Sequence, residues 1–347
     1  SATFGFSDKI FVDVTARNDW TSTIPEPNNS FFYPSIGVTG VLNELFDLGE
    51  KVSFAKVRAS YAEVGNGFGP DQISPNRAII FGQGISTGSA IRPFPGTTPK
   101  PERQRSFEIG TEWKFNNNRY GFDIGYYRTS TINQYFSVPT SDATIAGGVA
   151  GLNAGDIVNS GVEVTAFAIP VQNDDFEWRT NVNFATNKNE IVSISGEDLP
   201  IATPEYFVVS PKGVNTFGSY LVEGGSFGDI YAQVVKRDAN GTPIVDGDAV
   251  IQDDENLIDG LTKVGNANPD FTLGWSNSFK YKNFSLNLMV DGKFGGETVS
   301  MTEAIVEGFS NNSARETANG NVSVVDLAGN ESTLTAQEYF GKVGGRN

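Results

Sequence analysis

KPERQRSFEIGTEWKFNNNRYGFDIGYYRTST, from Lys100 to Thr131, is the stretch whose reading decides the fold. From Ser106 onward, Phe107, Ile109, Thr111, Trp113 and Phe115 fall on one side. Ser106, Glu108, Gly110, Glu112 and Lys114 fall on the other. This is the two-residue period of a strand with one apolar and one polar face. Asn116, Asn117 and Asn118 supply a tight polar turn. The alternation then resumes with Tyr120, Phe122, Ile124 and Tyr126 against Gly121, Asp123, Gly125 and Tyr127. Each arm of this hairpin reaches about 9 to 11 residues, the length of a tilted strand crossing a bilayer, where strands of soluble domains average about 5 to 6.

The same period recurs on both sides of the hairpin. A first strand is expected from Thr3 to Arg17, followed by the polar loop NDWTSTIPEPNNS. A return strand runs through Phe32, Pro34, Ile36 and Val38, with Pro34 expected near its beginning or at a bulge because proline donates no ladder bond. After a turn near Asp47 to Lys51, Val57, Ala59 and Tyr61 alternate with Lys56, Arg58 and Ser60. Later strands carry Val162 to Ala168, Phe176 to Phe184, a segment from Ile230 to Lys236, and a last hairpin through Trp275 and Leu288. The alternations add up to about ten strands. Short turns near 47–51, 116–118, 172–175 and 281–283 alternate with long irregular stretches, Gly65 to Pro101, Asn133 to Asn159 and Ile191 to Gly228. Outer-membrane barrels show this asymmetry, with short periplasmic turns and long extracellular loops. Trp20, Trp113, Trp178, Tyr120 and Phe176 near strand ends suit an interfacial aromatic girdle, and the competing reading is the core of a soluble β-sandwich. On the barrel reading, Phe107, Ile109, Trp113, Phe122, Ile124, Leu286 and Leu288 meet lipid.

Composition removes several function classes. The 347 residues contain no Cys and no His, so there is no thiolate nucleophile, no Ser-His-Asp triad and no nitrogen or sulfur zinc ligand set. A formal charge of −16 argues against nucleic acid as a partner. No apolar run approaches the roughly 18 residues of a membrane helix, so a membrane-spanning fold here is a barrel.

Ala16 to Gly37, Lys100 to Thr129, Asn153 to Val171 and Val264 to Gly296 together resemble, in order, the barrel of the SusC/RagA-type TonB-dependent transporters of Bacteroidota. The resemblance implies an all-β fold: an antiparallel transmembrane β-barrel in the cell outer membrane, plugged from within. It also implies a SusD-like surface lipoprotein as lid, energy from the TonB complex, and glycan or peptide oligomers as substrate. Such barrels have roughly 22 strands. Residues 1–347 are therefore expected to be a slice of about ten strands from one larger plugged barrel domain, with long extracellular loops. The plug that would meet TonB is expected to lie before Ser1, and the final strands beyond the closing GKVGGRN.

Two candidate sites carry chemistry. The acidic stretch holding Asp238, Asn240, Asp246, Asp248, Asp253, Asp254 and Glu255 offers hard oxygen ligands, so Asp246, Asp248, Asp253 and Asp254 are candidates for calcium. Their spacing is not that of an EF-hand, and a solvated acidic loop is the competing reading. No other cofactor is expected. Glu108 and Glu112 share the polar face of one strand, as paired glycosidase carboxylates would, but as readily as an ordinary wet barrel wall; the chain is read as a non-enzyme. Two function classes stay open, an energy-coupled importer and a passive porin or structural barrel. Loops 66–101 and 133–159 are expected to form the docking rim for the lipoprotein.

Overall fold

The computed structural model describes residues 1–69, 78–81, 84–87, 92–93, 97–139, 149–194, 207–210, 217–247, 249–251, 258, 260–300, 320–335 and 338–339. Two compact units emerge: residues 1–207, 222–226 and 269–295 form the first, and residues 208–221, 227–268 and 296–347 the second.

The first unit is built on an eleven-stranded sheet. Ten of its strands form a path: β1 Ala2–Phe6, β2 Ile10–Trp20, β3 Ser30–Val41, β4 Val52–Asn66, β5 Glu102–Phe115, β6 Tyr120–Ile132, β7 Asp156–Gln172, β8 Phe176–Ala185, β9 Phe271–Tyr281 and β10 Phe284–Phe294. Strand order equals chain order and neighbours are antiparallel, the topology of an up-and-down barrel wall. The eleventh strand, Lys188–Ser193, pairs with the start of β7. Among the described residues the sheet is open, with β1 and β10 as its edges.

Register explains why one face is apolar across the whole sheet. Ile109 lies opposite Ala59 on β4 and Tyr126 on β6. Tyr126 lies opposite Val162, and Ile124 opposite Val164. Val182 faces Ala166 on one side and Trp275 on the other, and Trp275 faces Val290. Every member of that row projects to the same side because a strand's side chains alternate. Ile109 is 50% exposed and Leu286 54%, and such exposure of contiguous apolar side chains suits lipid as the surrounding medium. Aromatics bracket the row. Phe115 stacks on Tyr120 at 5.5 Å and Trp178 on Phe279 at 5.8 Å beside the short turns. Phe271 stacks on Phe294 at 4.6 Å at the opposite end. Trp113, Trp178, Tyr120 and Phe176 thus stand near the short-turn rim, and Trp20 closes β2 at the other.

The connections sort by end largely as the sequence suggests, with one exception in length: 42–51, which carries the short helix Leu42–Leu45, is longer than 21–29. Ser7–Lys9, 42–51, 116–119, 173–175 and 282–283 join strands at one end; 21–29, 67–101, 133–155 and 186–270 join them at the other. Asn116, Asn117 and Asn118 all take left-handed φ values of 50° to 63°, which asparagine tolerates better than branched residues do. One expectation needs correction: the stretch from Thr3 to Arg17 is two strands. Ser7 and Asp8 turn the chain at φ 51° and 57°, and Thr3 pairs back onto Asp13. Pro34 lies inside β3 but one residue outside the Ser35–Val41 segment that pairs with β4. Strand β7 begins at Asp156, several residues before the expected end of its loop, and shifts register between Ala168 and Val171. Part of the stretch from Ile191 to Gly228, expected to be irregular, is ordered as strand: Lys188–Ser193 runs into it and Phe217–Leu221 lies within it.

One close approach demands glycine. A Cβ on Gly161 of β7 would lie 2.0 Å from the Thr186 carbonyl oxygen and 2.7 Å from the Tyr127 hydroxyl. The first neighbour is backbone, held by the Thr186 N–H donating to the Val162 carbonyl at 2.9 Å, so it does not yield cheaply. Gly161→Ala is therefore expected to destabilise the barrel by about 1 to 3 kcal/mol through overpacking. The midpoint of the heat-induced mobility shift on gels measures it, and an unchanged midpoint would show that the strand relaxes freely.

The second unit contains two four-stranded sheets. One joins Phe207–Ser210, Phe217–Leu221, Asp229–Ala232 and Thr262–Asn266 around the fully buried Tyr220, Leu221 and Leu261. Asp229, 1% exposed, accepts from the Asn266 side-chain amide at 2.7 Å and pairs with Lys263 Nζ at 2.8 Å, so its buried charge is satisfied. The other joins Ala249–Val250, Ile244–Asp246, Asn321–Asp326 and Glu331–Thr335 around Val245, Val324 and Tyr339.

Candidate functional site

The polar face of the sheet is a charged wall centred on β4, β5 and β6. Lys56 lies opposite Glu112, Arg58 opposite Gly110, and Gly110 opposite Gly125. With no side chain on either glycine, Arg58 reaches diagonally across β5 to Asp123 on β6. Its Nη1 and Nη2 donate to the two carboxylate oxygens at 2.8 and 2.7 Å. A Cβ on Gly110 would stand 2.9 Å from the guanidinium carbon, so that glycine is what lets the arginine lie flat. Glu112 is shared by Lys56 Nζ at 2.7 Å and Lys114 Nζ at 2.9 Å. These pairs are partly exposed and each is worth under about 1 kcal/mol, but the bidentate fork fixes geometry.

Glu108, opposite Tyr127, and Glu163, opposite Gly125, complete the wall. With Arg58, Gly125 and Tyr127 they line a cavity of about 250 Å³. Tyr127 lies across Gly161 and donates to the Asn187 side-chain oxygen at 3.1 Å. The carboxylates Glu108 and Glu112 therefore have different surroundings. Glu112 sits between two lysines, the reverse of the apolar setting in which a carboxyl serves as a general acid. What the wall offers is a row of fixed charges and hydrogen-bonding groups on the face opposite the apolar row. The arginine-over-glycine arrangement had only a faint signal in the sequence, two glycines among the polar positions of adjacent strands.

At the long-connection end the loops are knitted together. Val149–Asn153 pairs antiparallel with Tyr135–Pro139 and parallel with Arg92–Pro93, so segments of both expected docking loops share one small sheet. The Asn153 side chain accepts the Lys100 N–H and donates to the Lys100 carbonyl, both at 2.8 Å, and donates also to the Asn133 carbonyl at 2.8 Å. Ile24, Phe31 and Phe68 form a buried cluster beside them, with Tyr33 and Tyr135 packed on it. Burial pushes the Tyr135 phenol up to about 12. The rest of these two loops, 70–77, 82–83, 88–91, 94–96 and 140–148, lies outside the described residues.

The acidic stretch is only partly in view. Asp246 is exposed at the end of the strand Ile244–Asp246; Asp248, Asp253, Asp254 and Glu255 lie outside the described residues. Asp238 spends its carboxylate on a turn, accepting the N–H groups of Thr242 at 2.8 Å and Asn240 at 2.9 Å. The Thr242 bond above all holds that carboxyl below its usual range. Among the described residues no group of three or more acidic side chains comes together as a metal site.

A long-stranded antiparallel meander, apolar on one face, charged on the other and banded by aromatics, defines an outer-membrane β-barrel protein. Residues 1–292 match the family described as TonB dependent receptor-like, beta-barrel, and the chain belongs to that family. It is 27% identical over 329 residues to TonB-dependent receptor P3 of Formosa agariphila, covering 86% of this chain and 32% of that protein. It is 24% identical over 305 residues to TonB-dependent receptor SusC of Bacteroides thetaiotaomicron, covering 82% and 29%. Among solved structures, the RagAB peptide transporter shares the fold at a TM-score of 0.70 and 19% identity, over 88% of this chain and 34% of that one. The SusC/RagA-type resemblance and the outer-membrane setting are thereby established. The chain spans about a third of the length of these relatives.

Proposed function

We propose that this barrel wall serves TonB-dependent import of nutrient oligomers, glycans or peptides, across the outer membrane together with a SusD-like lipoprotein. The observation that carries this reading is the family match over residues 1–292, reinforced by the two named neighbours SusC and RagAB. On this reading residues 1–347 are part of one transmembrane barrel domain. The charged inner wall around Arg58 and Asp123 borders the route of a polar solute. Energy is supplied by the TonB complex. A passive porin with the same wall would need no energy source, and that difference is measurable.

Uptake of a labelled peptide or oligosaccharide by cells carrying the whole protein is expected to stop when a protonophore collapses the inner-membrane gradient. Uptake that continues unchanged assigns the barrel to the passive class. For the lid, deletion of 81–91 removes the strand Gly84–Thr87, whose ladder partner is Ala78–Phe81, and breaks no bond of the ten-strand sheet. That deletion is expected to lower co-purification of the lipoprotein while leaving heat-modifiable barrel intact, since loop tips tolerate excision. Full co-purification after this deletion and a matching one of 140–148 would place the lid's contacts elsewhere.

A further inference from the structure

We propose that the outward face of β6 and β7 near the long-connection end holds the phosphate of an outer-leaflet glycolipid, lipopolysaccharide, in a cradle made by Arg128, Ser160 and Lys188. Arg128 on β6 lies opposite Ser160 on β7, and Ser160 lies opposite Lys188 at the start of the eleventh strand. Residues paired directly across a sheet project to the same side, on strands about 4.8 Å apart. A cation, a hydroxyl and a second cation therefore stand in one row. The outward positions of β6, Ile124 and Tyr126, continue by parity into Arg128, so the row belongs to the lipid face.

The height of the row selects a headgroup. Phe115 pairs with Tyr120 beside the asparagine turn, and Phe107 pairs with Arg128 toward the other end. Between these two pairs the strands climb about 20 Å along the barrel axis, at about 3.3 Å per residue and a tilt of about 40°. The apolar band of an outer-membrane barrel is about 25 Å tall, so Arg128 stands close to its upper boundary. Below it on the same face Tyr126, Ile124, Val162 and Val164 carry no charge. The long-connection end is the extracellular end of such barrels. The leaflet that meets it is built of phosphorylated glycolipid.

The charges around the row leave Arg128 open to such a group. Among the described residues no carboxylate is hydrogen-bonded or ion-paired to it; Glu190 acts on it electrostatically but is bonded by Lys188 Nζ at 2.8 Å. Lys188 is itself 76% exposed, and a surface pair of this kind is held weakly. With Glu190 counted, the row keeps an excess of one positive charge. Higher on the same face the cations are spent, since Arg103 and Arg105 share Glu63 at 3.6 and 3.2 Å. A guanidinium at the edge of hydrocarbon gains most from an oxyanion that accepts two of its N–H groups side by side, as phosphate does. The Ser160 hydroxyl between the two cations adds a further donor, and acyl chains find Tyr126 and Phe107 beneath. This site serves the barrel's anchoring in its membrane and is independent of which solute is imported.

The test is binding of diphosphoryl lipid A to the whole protein, purified in detergent and stripped of lipid, with dephosphorylated lipid A as control and inorganic phosphate as competitor. Lipid A is expected to bind severalfold tighter than the dephosphorylated form, and less tightly as salt is raised. Arg128→Gln is expected to weaken it about fivefold, and Arg128→Gln with Lys188→Gln about twentyfold, the scale of basic residues facing an anionic lipid. Arg179→Gln, which removes an exposed cation from the opposite face of β8, is expected to change nothing. Unheated gel mobility verifies that each variant is folded. Equal affinity of the unaltered protein for the two forms of lipid A overturns the proposal. So does a loss below about threefold in the folded double variant. Displacement of lipid A by millimolar inorganic phosphate would reassign the row to a soluble anion and overturn the lipid reading.

Discussion

Ile109→Arg is expected to destabilise the barrel by about 2 to 4 kcal/mol where the position lies near the bilayer midplane, and less towards either rim, with Ile124→Arg behaving alike. Ile109 sits in the middle of β5, between Ala59 and Tyr126, and half of its surface is open to whatever surrounds the sheet. A guanidinium there has lipid around it and no acidic partner on its own face, since the carboxylates of β5 and β6, Glu108, Glu112 and Asp123, project to the opposite side. Urea titration of the intact protein in lipid vesicles measures the loss. Spin labels supply the control on register: a label at 109 is expected to be reached by a lipid-soluble quencher and one at 112 to be shielded. The reverse order would mean that every strand in the row is read one residue out of phase.

Residues 1–347 produced alone are expected not to refold as a closed monomeric barrel. Along β1 and β10 the sheet has outer edges with no ladder partner among the described residues. In hydrocarbon each unsatisfied N–H or C=O costs several kcal/mol, so two strand edges far exceed the net stability of a typical domain, about 5 to 15 kcal/mol. Strand β10 shows the situation plainly: Met289 on one face and Val290 on the other are 69% and 66% exposed. Refolding in detergent followed by unheated gel mobility and protease challenge is the measurement. A compact, protease-resistant monomer whose mobility changes on boiling would falsify the expectation and require a different closure of these strands.

The alternation of Phe107 to Phe115 and of Tyr120 to Tyr126 placed those side chains on their faces before any tertiary contact was known. Within one strand the face of a residue depends only on its parity. The three asparagines likewise marked their turn, and the short-turn and long-loop asymmetry carried over into the connections except at 42–51, which is longer than 21–29. Parity says nothing about where a strand ends, which is why the alternation runs on through Ser7 and Asp8 although they turn the chain. Nor does it say which side chains meet across strands. Arg58 and Asp123 are separated by 65 positions and meet because two turns bring β4, β5 and β6 into one register and two glycines clear the way. Lys100 and Asn153, 53 positions apart, meet in loops that have no period to read. The sequence by itself determined which residues share the apolar face, because within a strand that depends on parity alone. The charged wall and the knitted rim were decided by the tertiary structure, because each is assembled from residues that only strand pairing and loop packing make neighbours.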